Sequence, residues 1–445
     1  MSALGAIDTT RIDALRVELV DILGEAAVAT DDARLERASV DGSGMSPLIK
    51  ELLPLGRAQI LAMPSSAEQI VATVAAAVRH GVPVTPRGKG TGNYGQGIPM
   101  NGGLVLDTSK ARRVIEVGDG WIEAEAGAVM WMLEQTANKA GQQLWMYPST
   151  AQSTVGGFVS GGSGGTGSIA NGMIHQGFVK AVEVVHATGE AAAVRVEGDD
   201  AVPYLHNYGT AGIITTVRVA LEPLQPWRAV LASFDAYEDV VQLMKPLASL
   251  TPTPRLVSGD RAEIAACLPA ELGIPAGRAS LRAILDESTV EEATRMIEAA
   301  GGRVDDVREG AQHTVKLSMN SYNHPIEWLQ KTAPVPYFHV EVLGDALVDR
   351  LDEVQAVYPG GMLHIEAQRG RPIGMLAAPY ESAADVLAGF DRLAALGVST
   401  HNPHQWAVDF EPERTAALAA VTDPQGLLNP GKLGATVHAH TGTQM

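Results

Sequence analysis

The sequence predicts an α+β protein built from a glycine-rich first domain and a second domain of antiparallel sheet and helices. Apolar residues recur at helical and at strand spacing along the whole chain. Glycines crowd between Arg87 and Gly172, whereas glycine runs are absent from about Trp227 to His401, where β–α units recur. Two prolines in residues 223–228 predict the boundary between the domains.

The first domain alternates helices with short strands and hairpins. Residues 11–25 carry apolar side chains at helical spacing. A second helix is predicted at 66–80, after a capping serine and before Gly81. Strands are predicted at residues 82–86, 104–109 and 212–224, hairpins at 113–127 and 179–198, and a further helix at 128–141.

The second domain repeats a strand followed by a helix. Strands are predicted at residues 229–234, 280–287, 336–344 and 362–370, and helices at 238–250, 288–302, 346–360 and 382–397. Ser288 and Glu291 have the spacing of a capping box. A last helix is predicted at 413–423 in the tail.

Composition excludes several classes of protein. The chain has 445 residues, of which 46% are hydrophobic, so it is long enough for a core and is not wholly disordered. A net charge of −18 without a basic stripe argues against nucleic acid or an anionic membrane as partner. No stretch reaches the 18 apolar residues of a transmembrane helix. Residues 1–24 lack the features of a signal peptide.

The single cysteine, Cys267, excludes an internal disulfide and cysteine-based zinc or iron–sulfur sites. It is compatible with a reducing compartment, and we expect the protein to be cytoplasmic. No metal site is predicted.

Two glycine-rich segments carry the functional signal. The first covers residues 86–97 and the second 153–168. Successive backbone N–H groups in such segments bind anions, and glycine lets the backbone approach a phosphate. Side chains add donors, namely Thr91, Asn93 and Gln96 in the first segment and Ser153, Ser160, Ser163 and Ser168 in the second. Two such segments predict a diphosphate held from two sides.

A G-x-G-x-x-G pattern occurs in both segments, at Gly90 and at Gly162, but its context does not fit a Rossmann fold. That fingerprint must open a helix whose N-terminus holds the pyrophosphate. Residues 95–103 cannot be helical, and residues 168–177 are too short and broken by glycine. No Walker sequence is present. A nicotinamide-dependent Rossmann enzyme is therefore disfavoured.

Seven sequence pieces, in order, resemble one family. They are ASVDGSG, VTPRGKGTG, GGLVLDTSKARRVIEV, STVGGFVSGGSGGTGSIANG, AVEVVHATGE, GTAGIITTVRVAL and LLNPGKL. The chain resembles the FAD-linked oxidases of the vanillyl-alcohol-oxidase and p-cresol-methylhydroxylase type, nearest to the glycolate-oxidase-subunit and D-2-hydroxyacid dehydrogenase branch. The resemblance covers residues 35–225 and 423–433 and implies non-covalent FAD as cofactor.

The resemblance also implies an architecture and a set of FAD contacts. It implies a two-subdomain FAD-binding domain at residues 1–226, an inserted substrate or cap domain at 227–405, and a tail at 406–445 that returns to the FAD domain. In the first glycine-rich segment, the implied contacts are Pro86, Arg87, Gly88, Lys89, Gly90, Thr91, Gly92, Asn93 and Gln96. Further along the chain they are Pro148, Ser149, Ser153, Thr154, Gly156, Gly157, Gly161, Gly162, Gly164, Gly209, Gly212, Ile214, Asn429 and Lys432.

Two departures from the family pattern bear on how the flavin is attached and on the metal and substrate that the resemblance would imply. Thr91 stands where many relatives carry a histidine bonded covalently to the flavin, and Cys267 lies in the cap. Covalent attachment through a cap residue stays open. The His-x-Gly-Asp-Gly-Asn-x-His segment of the hydroxyacid dehydrogenases is absent. Its absence puts a catalytic metal and a 2-hydroxyacid substrate in doubt.

The predicted catalytic residues lie in the second domain. His401 and His404 come where the chain leaves the cap, and histidine is a frequent acceptor of a substrate proton. If residues 362–368 form a strand, His364, Glu366 and Gln368 share one face. Arg369 is placed to bind a carboxylate. For each of these residues, an ordinary structural role stays open.

The leading hypothesis is an FAD-dependent oxidoreductase that takes a hydride from a C–OH group of a small molecule. A 2-hydroxyacid, a phenolic or sugar alcohol, and an amine are the substrates considered. Oxygen or another electron acceptor is the expected second substrate. The alternative from another class is a non-catalytic FAD-binding subunit of a glycolate-oxidase-like complex. A homo-oligomer is left open.

Overall fold

The computed structural model describes residues 7–53, 56–162 and 164–434, and its three sheets follow the chain in order. The first sheet has the strand order β1-β2-β4-β3, in which β2, β3 and β4 are parallel and β1 is antiparallel. Its strands are β1 (Val28–Ala29), β2 (Ile60–Ala62), β3 (Val84–Arg87) and β4 (Leu104–Asp107). Its helices are α1 (Thr9–Leu23), α2 (Asp32–Ala38), α3 (Pro47–Leu52) and α4 (Ala67–His80).

Local sequence explains where these helices begin and end. The Asp8 carboxylate accepts the Thr10 N–H at 2.9 Å and caps α1. The Ser66 hydroxyl accepts the Gln69 N–H and caps α4, and Gly81 ends this helix in the left-handed conformation (φ 60°). Both helices follow the sequence prediction closely. They pack against the first sheet around a core that includes Leu15, Leu19, Ile70 and Val74.

The second sheet has the strand order β5-β6-β10-β8-β9, with β7 paired to β10, and the pairings among these described strands are antiparallel. Its strands are β5 (Val114–Gly118), β6 (Trp121–Glu125), β7 (Gln142–Leu144), β8 (Val179–Val185), β9 (Ala193–Glu197) and β10 (Ile213–Pro223). Its helices are α5 (Met130–Lys139), α6 (Val155–Gly161) and α7 (Ser168–Asn171). The two predicted hairpins, β5–β6 and β8–β9, are confirmed.

The third sheet has eight antiparallel strands in the order β14-β11-β13-β12-β16-β17-β15-β18. These are β11 (Trp227–Phe234), β12 (Leu256–Asp260), β13 (Ala279–Asp286), β14 (Arg303–Glu309), β15 (Tyr337–Leu343), β16 (Met362–Glu366), β17 (Ile373–Pro379) and β18 (Ser399–His401). All lie inside the predicted second domain, whose exact bounds stay a prediction.

Nine helices described within residues 237–395 accompany this sheet: α8 (Tyr237–Gln242), α9 (Met244–Ala248), α10 (Ala262–Ala265), α11 (Val290–Ala299), α12 (Ala311–Ser318), α13 (His324–Thr332), α14 (Ala346–Asp349), α15 (Leu351–Gln355) and α16 (Ala383–Ala395). The tail carries α17 (Pro412–Thr422), as predicted, and residues 435–445 of the predicted third part lie outside the described residues. None of the described helices is long and apolar enough to cross a bilayer.

The structure differs from the sequence analysis in several local features. The expected single helix at 238–250 is broken between α8 and α9, since Pro246 has no N–H to continue the ladder. The capping box does not form, because the Ser288 hydroxyl donates to Asp286 at 2.6 Å and α11 begins at Val290. The second glycine-rich segment contains the helix α6, which the Thr154 hydroxyl caps by accepting the Gly157 N–H at 3.1 Å.

Candidate active site

A cavity of about 1150 Å³ lies between the first and second domains. The first domain lines it with both glycine-rich segments and with residues near Tyr208, and the second domain with the ends of β15, β17 and β18. The tail completes the wall at Asp409 and Phe410. The volume is at the upper end of what small-molecule and cofactor sites occupy, and the site is concave and shared between domains, as such sites commonly are.

Most residues expected to contact FAD line this cavity. They are Pro86, Arg87, Gly88, Lys89, Gly90, Thr91, Gly92, Asn93, Gln96, Pro148, Ser149, Ser153, Thr154, Gly156, Gly157, Gly161, Gly162, Gly164, Gly209 and Ile214. The Thr91 and Ser153 hydroxyls hydrogen-bond at 2.9 Å, so the two glycine-rich segments meet at the cavity wall. Ser160 also lines the cavity, whereas Ser163 lies outside the described residues.

The glycine at position 161 tests whether a ligand fits this wall. A Cβ atom built on Gly161 would have its nearest described protein atoms at 3.9 Å (Gln96 Nε2) and 4.0 Å (Tyr208 Cδ1). The packing of the protein itself therefore does not require glycine there. The space beside Gly161 belongs to the cavity, and a flat or phosphate-bearing ligand would be able to touch the backbone. This arrangement fits the pyrophosphate or flavin part of FAD.

Gly212, Asn429 and Lys432 do not belong to the cavity lining. Gly212 packs near the Tyr204 ring. Asn429 donates through Nδ2 to the carbonyls of Gln96 (3.0 Å) and Tyr208 (2.8 Å). Fully buried Lys432 donates through Nζ to the carbonyls of Gly95 and Ile98. The tail thus supports the first glycine-rich segment from behind, and these two side chains lie one layer away from where we expected them.

The four predicted catalytic residues separate into two pairs. His401 and Arg369 line the cavity, whereas His404 and His364 are fully buried outside its lining. His401 and His404 do not share the cavity, because the Asn402 side chain accepts the His404 N–H at 2.9 Å and turns the chain between them. His404 instead hydrogen-bonds through Nδ1 to the Ser46 hydroxyl at 2.6 Å.

His364 lies on a buried face of the third sheet rather than on the cavity wall. Its Nδ1 is 2.8 Å from Asp260 and its Nε2 is 2.9 Å from Glu366. Burial by itself lowers the pKa of His364, but the two carboxylates outweigh burial and raise this pKa to about 9. Gln368, the third residue of the predicted polar face, does line the cavity.

A chain of hydrogen bonds around His401 forms a polar part of the cavity lining. His401 Nδ1 is 2.8 Å from Glu341 Oε2, and its Nε2 hydrogen-bonds to Asp409 Oδ2. The Tyr94 hydroxyl donates to Glu341 Oε1, and Asn323 Nδ2 donates to the same hydroxyl at 3.4 Å. All five side chains line the cavity and come from four distant parts of the sequence.

The two carboxylates make His401 a cation. Burial lowers the pKa of His401, but Glu341 and Asp409 outweigh burial, and this pKa is raised well above its ordinary value. Burial would raise the pKa of Glu341, yet the His401 charge lowers it to about 2. Asp409 likewise has a lowered pKa. The trio therefore carries one excess negative charge, and among the described atoms Asp409 Oδ1 has no hydrogen-bond partner.

Sequence reasoning missed Tyr94, Glu341 and Asp409 as members of this site. Tyr94 lies inside the first glycine-rich segment, which offered a signal for its position. Glu341 and Asp409 offered none, since an isolated acidic residue in a strand or a turn looks like a solvated one. Within the described residues, no group of three or more His, Cys, Asp or Glu side chains could hold a metal ion.

Comparison with known proteins agrees with this geometry. A family model described as an FAD binding domain matches residues 58–195. An uncharacterized FAD-linked oxidoreductase of Mycobacterium tuberculosis (strain H37Rv) is 29% identical over 268 residues, which cover 57% of each chain. Glycolate oxidase subunit GlcD of Escherichia coli K12 is 28% identical over 41% of this chain and 38% of its own. The matched region thus spans about half the length of these relatives or less.

Solved structures show the same fold at low sequence identity. The 4-ethylphenol oxidase of Gulosibacter chungangensis has a TM-score of 0.71 and 17% identity, covering 97% of this chain and 98% of its own. An alkyldihydroxyacetonephosphate synthase has a TM-score of 0.72 and 16% identity, covering 94% and 86%. Together, these comparisons show that the chain contains an FAD binding domain and uses FAD as its cofactor, that its sequence is similar to GlcD, and that its fold is similar to those of 4-ethylphenol oxidase and p-cresol methylhydroxylase.

Proposed function

We propose that the protein is an FAD-dependent oxidoreductase that oxidises a C–OH group of a small molecule. The observation that carries this proposal is the shared cavity. One of its walls is glycine-rich and fits FAD, and a second wall carries the hydrogen-bonded trio of Glu341, His401 and Asp409. A substrate between the two walls would contact the cofactor and a proton acceptor at once, which is what alcohol oxidation requires.

FAD, when bound, supplies the hydride acceptor. The chain has to orient the substrate and take up the hydroxyl proton. We assign that uptake to Asp409 Oδ1, the carboxylate oxygen of the trio that has no partner among the described atoms. His401 holds Asp409 and Glu341 together, and its positive charge lets two carboxylates share one wall.

The charge of the lining supports an anionic substrate, and a 2-hydroxyacid is our first candidate. The chain as a whole has a net charge of −18. The cavity lining has more cations than anions, with Arg87, Lys89, Arg369, Arg371 and His401 against Asp41, Glu341 and Asp409. Arg369 and Arg371 are exposed on the turn between β16 and β17 and can reach a carboxylate from the second-domain side.

A second candidate is an aromatic alcohol, and the aromatic lining favours it. Tyr94, Tyr208, Tyr322, Phe390 and Phe410 all line the cavity. Phe410 stacks with the imidazole of His206 at 5.6 Å and an interplanar angle of 15°. Such a wall buries a flat ring well. The two candidates differ in charge, so a small substrate panel separates them.

The experiment starts from the purified protein as isolated. Bands near about 370 and 450 nm, with the yellow colour released by acid, are expected for non-covalent FAD. Anaerobic mixing with glycolate, D-lactate, 2-hydroxyglutarate or 4-hydroxybenzyl alcohol should bleach the 450 nm band with at least one of them. A flavin that none of these compounds bleaches would contradict the proposal and favour a non-catalytic subunit.

The variant Asp409→Asn then tests the proton acceptor. We expect kcat to fall about 100-fold or more, the usual contribution of a positioned base, with FAD content unchanged. Asp391→Asn is the matched control, because Asp391 is an exposed carboxylate of α16 outside the cavity lining. An Asp409→Asn protein with the activity of the control would assign the proton to another group.

A further inference from the structure

A turn between α12 and α13 brings two side chains of the second domain to the cavity. Tyr322 and Asn323 both line it, and Asn323 donates to the Tyr94 hydroxyl at 3.4 Å. Tyr322 has a φ of 56°, the left-handed region that a tyrosine rarely adopts. Strain of this kind persists only where the surroundings impose it. Something next to this turn must therefore hold Tyr322 in place.

Glu366 provides that hold. Its Oε1 accepts the backbone N–H of Tyr322 at 2.8 Å and also lies 2.9 Å from His364 Nε2. Glu366 is fully buried at the end of β16 and does not line the cavity. It therefore acts on the cavity only through the turn. Its other oxygen, Oε2, has no hydrogen-bond partner among the described residues.

The carboxylate of Glu366 is in turn fixed by a buried row of charges. His364 lies between Glu366 and Asp260, and the Asp260 carboxylate accepts a hydrogen bond from Arg282. All four side chains have no exposed surface. The strand registers place them on one face of the third sheet, since Asp260 pairs with His364 and Ser258 pairs with both Glu366 and Arg282.

A row of this kind is an unusual way to fill a protein core. Well-packed apolar side chains would fill the same volume at equal or lower free energy, because burying charges costs several kcal/mol per ion even when they are paired. The row ends at the backbone N–H of a residue that lines the cavity. Its geometry is therefore suited to fixing one position of the turn.

The same turn also contacts the first domain near the FAD segments. The Thr150 hydroxyl is 3.2 Å from His324 Nε2, directly after the turn, and the Thr166 hydroxyl is 2.6 Å from that of Ser318, directly before it. Both ends of the turn are thus anchored to the cofactor side. Glu366 holds its middle from the second-domain side through the Tyr322 N–H.

We propose that Glu366 is a positioning residue that holds the Tyr322–Asn323 turn as the substrate-facing wall of the cavity. This inference rests on the proposed function for its effect on substrate, but not for its effect on the turn. Tyr322 and Asn323 would then determine which substrates fit, while His364, Asp260 and Arg282 keep the Glu366 carboxylate in one orientation.

The test compares three FAD-loaded variants, Glu366→Leu, Glu366→Gln and Asp260→Asn. Amide hydrogen exchange is measured by mass spectrometry on the peptide containing residues 319–323. We expect exchange of the Tyr322 amide to rise at least tenfold in Glu366→Leu, which loses the acceptor. It should stay within about twofold in Glu366→Gln, whose amide oxygen can still accept the N–H. Asp260→Asn should lower the melting temperature and raise this exchange by clearly less than tenfold, because the Glu366 acceptor remains beside the Tyr322 N–H.

The kinetic arm uses whichever of glycolate, D-lactate, 2-hydroxyglutarate or 4-hydroxybenzyl alcohol reduces the wild-type flavin. Glu366→Leu should raise KM about tenfold and leave kcat within about threefold, because Asp409 and the FAD segments are untouched. Should no compound reduce the wild-type flavin, the proposed function fails while the exchange result still decides the role of Glu366.

One control separates the turn from general loosening of the second domain. In Tyr322→Gly, the left-handed conformation carries no strain, so a further Glu366→Leu change should raise exchange by clearly less than it does with Tyr322 present. Equal exchange in Glu366→Leu and wild type would overturn the proposal. So would a rise of the same size in Asp260→Asn.

Discussion

The two walls of the cavity are built in opposite ways. The first-domain wall is rich in glycine, which comes mainly from the glycine-rich segments at residues 86–97 and 153–168. The second-domain wall consists of side chains, with Asn323, Glu341 and His401 brought together from distant strands and turns. A wall that binds through its backbone can be predicted from a short stretch of sequence, because glycine is needed wherever the backbone must touch a ligand. Side-chain recognition exists only after the fold has formed.

The largest expected effect comes from an ion pair that joins the first domain to the second, outside the cavity lining. Arg255 at the start of the β12 segment and Glu134 on α5 are both 4% exposed, and Arg255 donates to Glu134 at 2.6 Å and to the Leu144 carbonyl at 2.7 Å. Arg255→Met should lower the free energy of unfolding by about 3–5 kcal/mol, because Glu134 would be left as an uncompensated buried charge.

Urea unfolding of the FAD-loaded protein measures this loss. The double variant Arg255→Met/Glu134→Met should recover most of it, since replacing both members of a buried pair by apolar residues is often neutral. Arg295→Met is the control, because its pair with Glu291 is exposed on both sides. A double variant as unstable as Arg255→Met would mean that the packing of these two side chains, not their charges, stabilises the contact between the domains.

The next largest effect tests the backbone wall directly. Gly161→Ala places a methyl group in the cavity without a protein contact shorter than 3.9 Å. If FAD occupies that space, overpacking of about 1–3 kcal/mol should weaken FAD binding roughly 5- to 150-fold. The apoprotein should be no less stable, because alanine is the better residue at the end of α6.

The dissociation constant for FAD, measured by flavin fluorescence after reconstitution, shows whether Gly161→Ala weakens FAD binding. Gly44→Ala is a matched control, since Gly44 is exposed outside the cavity lining and a Cβ there would come no closer than 3.6 Å to Lys50. Unchanged FAD affinity in Gly161→Ala would show that the cofactor runs along a different part of the wall.

A smaller effect is expected one layer behind the same wall. Lys432→Met removes the ammonium that donates to the carbonyls of Gly95 and Ile98. The FAD segment should loosen, and the loss of about 1 kcal/mol corresponds to roughly fivefold weaker FAD binding. Flavin fluorescence again gives the dissociation constant, and Lys50→Met, at an exposed position of α3, is the control. An effect as large as that of Gly161→Ala would place Lys432 in contact with FAD itself.

The contrast between the walls also explains what the sequence could and could not predict. The helices, the hairpins, the antiparallel third sheet and the FAD segments follow from patterns within a few residues of each other. His404 was misplaced because a local turn at Asn402 reverses its direction. His364 was misplaced because the polar face of β16 packs beneath other elements instead of facing the cavity. Both errors concern where a face points, which tertiary packing decides.

The smallest expected effect concerns the buried histidine itself. His364 has a pKa raised from 6.5 to about 9 by Asp260 and Glu366, against the opposing effect of burial. A raised pKa in the folded state adds stability that is fully present below pH 6.5 and is lost as the pH rises through about 9. The melting temperature of wild type minus that of His364→Asn should therefore shrink by roughly 2 °C or more between pH 6 and pH 9.5. Taking the difference at each pH cancels other titrating groups, including Lys432, whose pKa burial lowers to about 7. A difference that stays constant over this range would mean that His364 is neutral in the folded protein, and that Glu366 is oriented by hydrogen bonds without the charge of the imidazole.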